Sequence, residues 1–84
     1  MNESKALKKM LVEIGAHLAR LREKKGFSTI REFTQKYDLP EIQYWRMEKG
    51  KANVTLKSLM KVLSIHKITL EDFFCAVTEQ KLAA

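Results

Sequence analysis

The stretch that most constrains the fold runs from Thr29 to Gly50, TIREFTQKYDLPEIQYWRMEKG, and holds the only proline of the chain. A proline lacks the amide hydrogen that a helix interior needs, so Pro40 is tolerated only in the first turn of the helix it opens. Asp38, Leu39 and Pro40 therefore read as a tight turn between two short helices. Thr29 followed by Glu32 has capping-box spacing, which starts the earlier helix near Ile30. Its inward face is Ile30, Phe33 and Tyr37, with Thr34 where the two helices cross. In the later helix, spanning 40–49, Tyr44 and Met47 define a buried side, with Pro40 and Glu48 close to it. Turning each residue by about 100° places Ile42 and Arg46 opposite that side, Glu41 and Trp45 along one flank and Gln43 along the other. Gly50 ends the helix.

The remaining segments also read as helices. Leu7, Leu11, Ile14, Leu18 and Leu21 recur at three- and four-residue spacing on one face of a first helix of roughly six turns. It ends near Lys25, where Lys24 and Lys25 suit the negative end of the helix dipole and Gly26 can close the helix. Leu7 and Met10 lie beyond what a small core needs, so residues 1–9 form a helical extension that is either frayed or bound to a partner. Thr55 caps a fourth helix with Leu56, Leu59, Met60 and Leu63 inward and Lys57 and Lys61 on its other faces. Thr69 to Asp72 repeats the capping pattern, and Leu70, Phe73 and Phe74 anchor a short fifth helix, leaving 76–84 as a C-terminal tail. Nothing alternates with period two over a strand's length. The expectation is an all-α, five-helix single domain over 1–84 with its core at about 10–75.

A chain of 84 residues buries one core and no deep substrate cavity, so its function belongs on the surface. The net charge of +6 favours a polyanionic partner. Basic residues concentrate between Lys5 and Lys67, and the segment after Ile68 is slightly acidic through Glu71, Asp72 and Glu79. Cys75 is the only cysteine, which excludes an intrachain disulfide and a cysteine-pair zinc site and suits a reducing compartment. It reads as a small apolar residue of the closing helix. No apolar run is long enough to span a membrane, and Lys5, Lys8, Lys9 and Glu13 interrupt any signal-peptide core. A cytoplasmic protein is expected. His17 and His66 read as surface residues without metal-ligand spacing. No nucleophile, base and orienting residue converge, so no catalytic residue, metal or cofactor is assigned and the chain is not read as an enzyme.

Two short helices joined by a turn, the second with a free polar face, are the layout of a DNA-reading helix-turn-helix. Arg46 can take guanine N7 and O6 together, or serve as a phosphate contact or a solvated side chain. Ile42 suits thymine methyls. Glu41 suits cytosine N4 or, alternatively, the helix dipole of its own first turn. Gln43 reaches a base edge or a phosphate. Trp45 packs on DNA sugars, covers a neighbouring helix or marks a protein interface, packing being the leading reading. Lys49, Lys51 and Lys57 read as phosphate anchors because they cluster beside the third helix, the alternative for any one of them being a solvated side chain.

From Ile14 to Phe74, about three quarters of the chain, the sequence resembles the Cro and phage-repressor type of helix-turn-helix domain, the xenobiotic-response-element family of bacterial regulators. The matching blocks are Ile14-Gly15 with LARLREKKGFS, RMEKGK at the close of the third helix, VTLKSLMKVL for the fourth and ITLEDFF for the fifth. The resemblance implies a lambda-repressor-like bundle whose helices two and three form the helix-turn-helix. It implies a transcriptional repressor that binds a palindromic operator in double-stranded DNA as a homodimer, with recognition helices about 34 Å apart. It also implies an ion pair between Arg22 and Glu48 that ties the recognition helix to the scaffold. The chain departs from the family pattern in several places, with one extra residue between Ser28 and Glu32 and, most seriously, a less polar reading face at Ile42 and Trp45. The usual glutamine at the start of helix two is absent, leaving Ser28 and Thr29 to meet phosphate through hydroxyl and backbone N–H groups. Thr34 replaces a small alanine, and Asp38 replaces a turn glycine. The apolar Ile42 and Trp45 keep open an alternative, an antitoxin-like or adaptor module that holds a toxin or another regulator on the same fold.

Overall fold

The computed structural model describes the backbone of residues 2–83 and the side chains of residues 5–79. Among these there are five helices and no strand: α1 (Asn2–Lys24), α2 (Ile30–Tyr37), α3 (Glu41–Glu48), α4 (Leu56–Ile65) and α5 (Leu70–Ala83). Met1 and Ala84, the outer ends of the expected extension and tail, lie outside the described residues. The chain forms two compact units, Met1–Asn53 and Val54–Ala84, so the boundary falls between α3 and α4.

In the first unit α3 packs against both α1 and α2. The apolar stripe of α1 delivers Leu11, Ile14 and Leu18 to the interior, followed by Arg22 one turn on. Phe33 is completely buried, and its ring lies 5.1–5.5 Å from those of Phe27, Tyr37 and Tyr44. Aromatic packing of this kind adds roughly 0.5–1.5 kcal/mol per pair beyond area burial. Thr34 is buried as well, and its hydroxyl donates within α2 to the carbonyls of Ile30 and Arg31 at 3.0 and 3.2 Å. The threonine is thus buried without leaving its hydroxyl unpaired.

The ends of the two short helices are set by local chemistry. Thr29 Oγ1 accepts a hydrogen bond from the Glu32 amide at 3.1 Å, which caps α2. Asp38 closes it in the left-handed region at φ 55°, and the Leu39 amide donates back to the Thr34 carbonyl at 2.8 Å. Pro40 is the N-cap of α3, not a member of its first turn, with an extended backbone and no side-chain cap. At the far end the amides of Gly50 and Lys51 donate to the carbonyls of Met47 and Arg46, a Schellman closure that puts Gly50 at φ 68°.

The second unit holds α4 and α5, each with a threonine cap: Thr55 accepts from the Ser58 amide and Thr69 from the Asp72 amide, at 3.1 and 3.0 Å. Leu59, Val62 and Leu63 are the buried residues of α4, while Leu56 and Met60 are exposed. The expected inward set is therefore corrected. The buried stripe centres on the Leu59–Val62–Leu63 triplet; helical rotation carries Met60 away from it, whereas Leu56 shares the face of Leu63 and is exposed at the first residue of α4. The fifth helix is not short, and residues 76–83 are not a separate tail but continue α5, with Val77 buried beyond Phe73. Lys67, at φ 59°, closes α4 where the sequence offers no glycine. The Lys67 and Ile68 amides donate to the carbonyls of Ser64 and Leu63, so hydrogen bonding compensates for a conformation that L-residues disfavour.

Candidate nucleic-acid interface

The inward side of α3 is fixed by one polar contact and two apolar ones. Arg22 Nε donates to Glu48 Oε2 at 2.7 Å and Nη2 to Oε1 at 3.1 Å, while Nη1 donates to the Phe27 carbonyl at 2.8 Å. The two side chains are only 8% and 2% exposed, so solvent does not screen this fork. The hydrogen bond that Arg22 donates to Glu48 raises the Arg22 pKa above its ordinary value, against the opposing effect of burial. Tyr44 and Met47 are buried beside Glu48. The Tyr44 hydroxyl is buried without a hydrogen-bond partner, and burial, reinforced by the Glu48 carboxylate, pushes its pKa well above the usual phenol range.

Backbone contact completes the seating. A Cβ on Gly15 would fall against the carbonyl oxygens of Met47 and Glu48, so the end of α3 rests directly on the backbone of α1. A Cβ on Gly50 would come within 2.8 Å of Val12 Cα. Glycines at both places let α3 and its exit turn approach α1 more closely than any side chain permits. Sequence reasoning missed this role of Gly15. The available signal was a glycine inside a helix, which costs about 1 kcal/mol relative to alanine and so implies a close backbone approach.

The opposite side of α3 is open. Glu41, Ile42, Gln43, Trp45 and Arg46 are all exposed, Ile42 to 70% and Trp45 to 40%. Two of them have partners that the sequence did not disclose. Glu41 Oε1 lies 3.5 Å from Arg31 Nε of α2, and the Lys51 ammonium lies 5.5 Å over the Trp45 ring. The indole is thus packed beneath a cation, a contact worth roughly 0.5–1 kcal/mol at an exposed site. Lys49 and Lys51 flank the exit of α3 and are exposed. Lys57 is exposed in the first turn of α4, in the second unit. A cation there opposes the helix dipole, so its charge does not serve the helix.

At the start of α2 the expected phosphate groups are engaged internally. The Ser28 hydroxyl donates to Glu32 Oε1 at 3.4 Å, and Thr29 Oγ1 is occupied by the Glu32 amide. The Glu32 carboxylate stands where an anion would approach, which weakens this helix start as a phosphate site. Away from α3, Cys75 is exposed, not packed as an apolar residue. Its thiol lies 3.3 Å from Glu79 Oε1, and that hydrogen bond raises its pKa, which disfavours the nucleophilic thiolate. His17 and His66 are half-buried, not surface residues. Among the described residues no group of three or more His, Cys, Asp or Glu side chains is placed to hold a metal ion, and no helix is long and apolar enough to cross a membrane.

Comparison of the chain with protein-family models, with curated proteins and with solved structures finds no match.

Proposed function

We propose that the chain is a sequence-specific DNA-binding regulator of transcription, with α2 and α3 as a helix-turn-helix and α3 as the helix that enters the major groove. The observation that carries this reading is the two-sidedness of α3. Its Tyr44, Met47 and Glu48 side is locked by the Arg22 fork, while Glu41, Gln43 and Arg46 stand in solvent next to Lys49 and Lys51. A groove-reading helix needs both properties, because a side chain discriminates bases only when its backbone is held in place. Arg46 reads guanine, Ile42 meets a thymine methyl, and the lysines supply affinity without sequence information. One such domain makes few base contacts, so two copies bind a palindromic operator and repress by occupying it.

Selection of bound sequences from a random duplex library at near-physiological salt, repeated with Arg46→Ala, tests this. An enriched palindrome whose preference relaxes at one position in the variant is the expected result. Absence of any enriched sequence would overturn it.

The exposure of Ile42 and of Trp45 favours one other reading, a protein-interaction module of the antitoxin or adaptor kind. Salt separates the two. Affinity for DNA falls steeply as salt rises, whereas an apolar protein contact is nearly indifferent to it.

A further inference from the structure

The first two turns of α1 continue the basic margin of α3. Lys5, Lys8, Val12 and Gly15 succeed one another at spacings of three, four and three residues, so they form one stripe along α1. The structure fixes what that stripe faces. Gly15 receives the carbonyls of Met47 and Glu48, and Val12 receives Gly50. The next positions toward the amino terminus, Lys8 and Lys5, therefore extend from the exit of α3 along the same side. Lys8 lines an open cleft of about 480 Å³ together with Val12, Gly50, Lys51 and Asn53. Lys5, Lys8, Lys51 and Asn53 are all exposed. Lys5 ends the first turn of α1, at the positive end of its dipole, where a cation does not stabilise the helix, so its charge is not explained by the helix itself.

We infer that this stripe is a second phosphate-binding surface, in which α1 acts as a rigid basic arm along the DNA backbone beside the groove occupied by α3. The inference rests on the DNA-binding reading and extends it to a surface outside the helix-turn-helix. From Val12 back to Lys5 is two turns, about 10 Å. Lys51 and Asn53 at one end of the cleft and Lys8 at its wall present donors to the same run of backbone, and Lys5 continues it. Because α1 is helical, the arm is already ordered before binding, and little ordering entropy opposes the contact.

The test compares wild type with Lys5→Gln/Lys8→Gln and with Lys5→Arg/Lys8→Arg by titrating a duplex that carries the selected site and flanking base pairs, over a range of salt. Each neutralised phosphate contributes about 0.9 to the slope of log affinity against log salt. The glutamine variant should therefore lose about 1.8 from the slope, and its affinity deficit relative to wild type should shrink about tenfold between roughly 50 and 200 mM salt. The arginine variant should restore the wild-type slope, which separates lost charge from a disturbed helix. A steep wild-type slope that the glutamine variant leaves unchanged would overturn the arm and leave the DNA reading standing. Wild type that binds no duplex would overturn both.

Discussion

Two arginine–carboxylate pairs hold the two ends of α3, and they share little besides their chemistry. Arg22 and Glu48, at the exit, meet through bonds of 2.7 and 3.1 Å with both side chains almost out of solvent, and Arg22 has a further acceptor in the Phe27 carbonyl. Arg31 and Glu41, at the entry, meet at one contact of 3.5 Å with side chains 73% and 46% exposed. Out of solvent, the attraction is strong, and so is the penalty for leaving either partner alone. In solvent, screening and side-chain entropy cancel most of the gain. The exit of α3 is therefore locked and its entry only tethered. On the proposed function this division is useful. The backbone of the reading helix is fixed from behind, while Glu41 remains able to exchange its arginine for a base edge.

The comparison breaks most directly at Glu48. Glu48→Ala leaves the Arg22 charge buried with only the Phe27 carbonyl, and it should cost about 3–5 kcal/mol, seen as a lower midpoint in chemical denaturation. A cost below about 1 kcal/mol would mean that the exit pair behaves like the exposed one. Gly15→Ala tests the seam that delivers Glu48 to Arg22. The new methyl would meet backbone carbonyls, not a flexible side chain, so α3 must shift. Overpacking of this kind costs about 1–3 kcal/mol, against a helix-propensity gain of about 1 kcal/mol. A net loss in denaturation is expected, and a stabilised variant would show that the seam opens freely.

Tyr44 reports on the same locked end through pH. Its phenol is raised in the folded chain, so above the ordinary phenol pKa the unfolded chain loses a proton that the folded one keeps. Fewer protons are bound in the unfolded state, and stability therefore falls as pH rises above about 10. The slope from this group is at most about 1.4 kcal/mol per pH unit. Tyr44→Phe should show a shallower alkaline loss than wild type. Parallel alkaline curves for the two proteins would remove Tyr44 as the source.

Much of this arrangement was legible in the sequence. The caps at Thr29, Thr55 and Thr69, the turn at Asp38–Pro40 and the outward set from Glu41 to Arg46 come from short-range rules that act within one or two helical turns. The Arg22–Glu48 pair entered only through the family resemblance, since no local pattern links residues so far apart in the chain. Three features stayed hidden for physical reasons. The rotation of α4 and the cover over its first turn depend on what packs there, so Met60 and Leu56 looked as suitable for burial as Val62. Lys67 closes α4 in a conformation that side-chain chemistry does not advertise. Arg31 and Glu41 come together only once the α2–α3 turn has fixed its geometry. The outward residues of α3 were the easiest to place and the hardest to assign, because exposure is read from periodicity but a binding partner is not.

The smallest expected effect lies at the entry pair. Arg31→Ala should change stability by less than about 0.5 kcal/mol, and its coupling to Glu41 in a double-mutant cycle should fall within about 0.2–1 kcal/mol and weaken as salt rises. Glu41→Ala should cost more than Arg31→Ala, because Glu41 also stands in the first turn of α3, where an acid gains roughly 0.3–1 kcal/mol from the helix dipole. This asymmetry separates two sources of the stabilisation. Equal costs for the two single variants, with a coupling as large as either, would place all of it in the pair and make Arg31 a fixed clamp on Glu41. A larger cost for Glu41→Ala with weak coupling would leave the carboxylate tied mainly to its own helix, with its side chain available to solvent or to a ligand in a way that the fork at Glu48 never is.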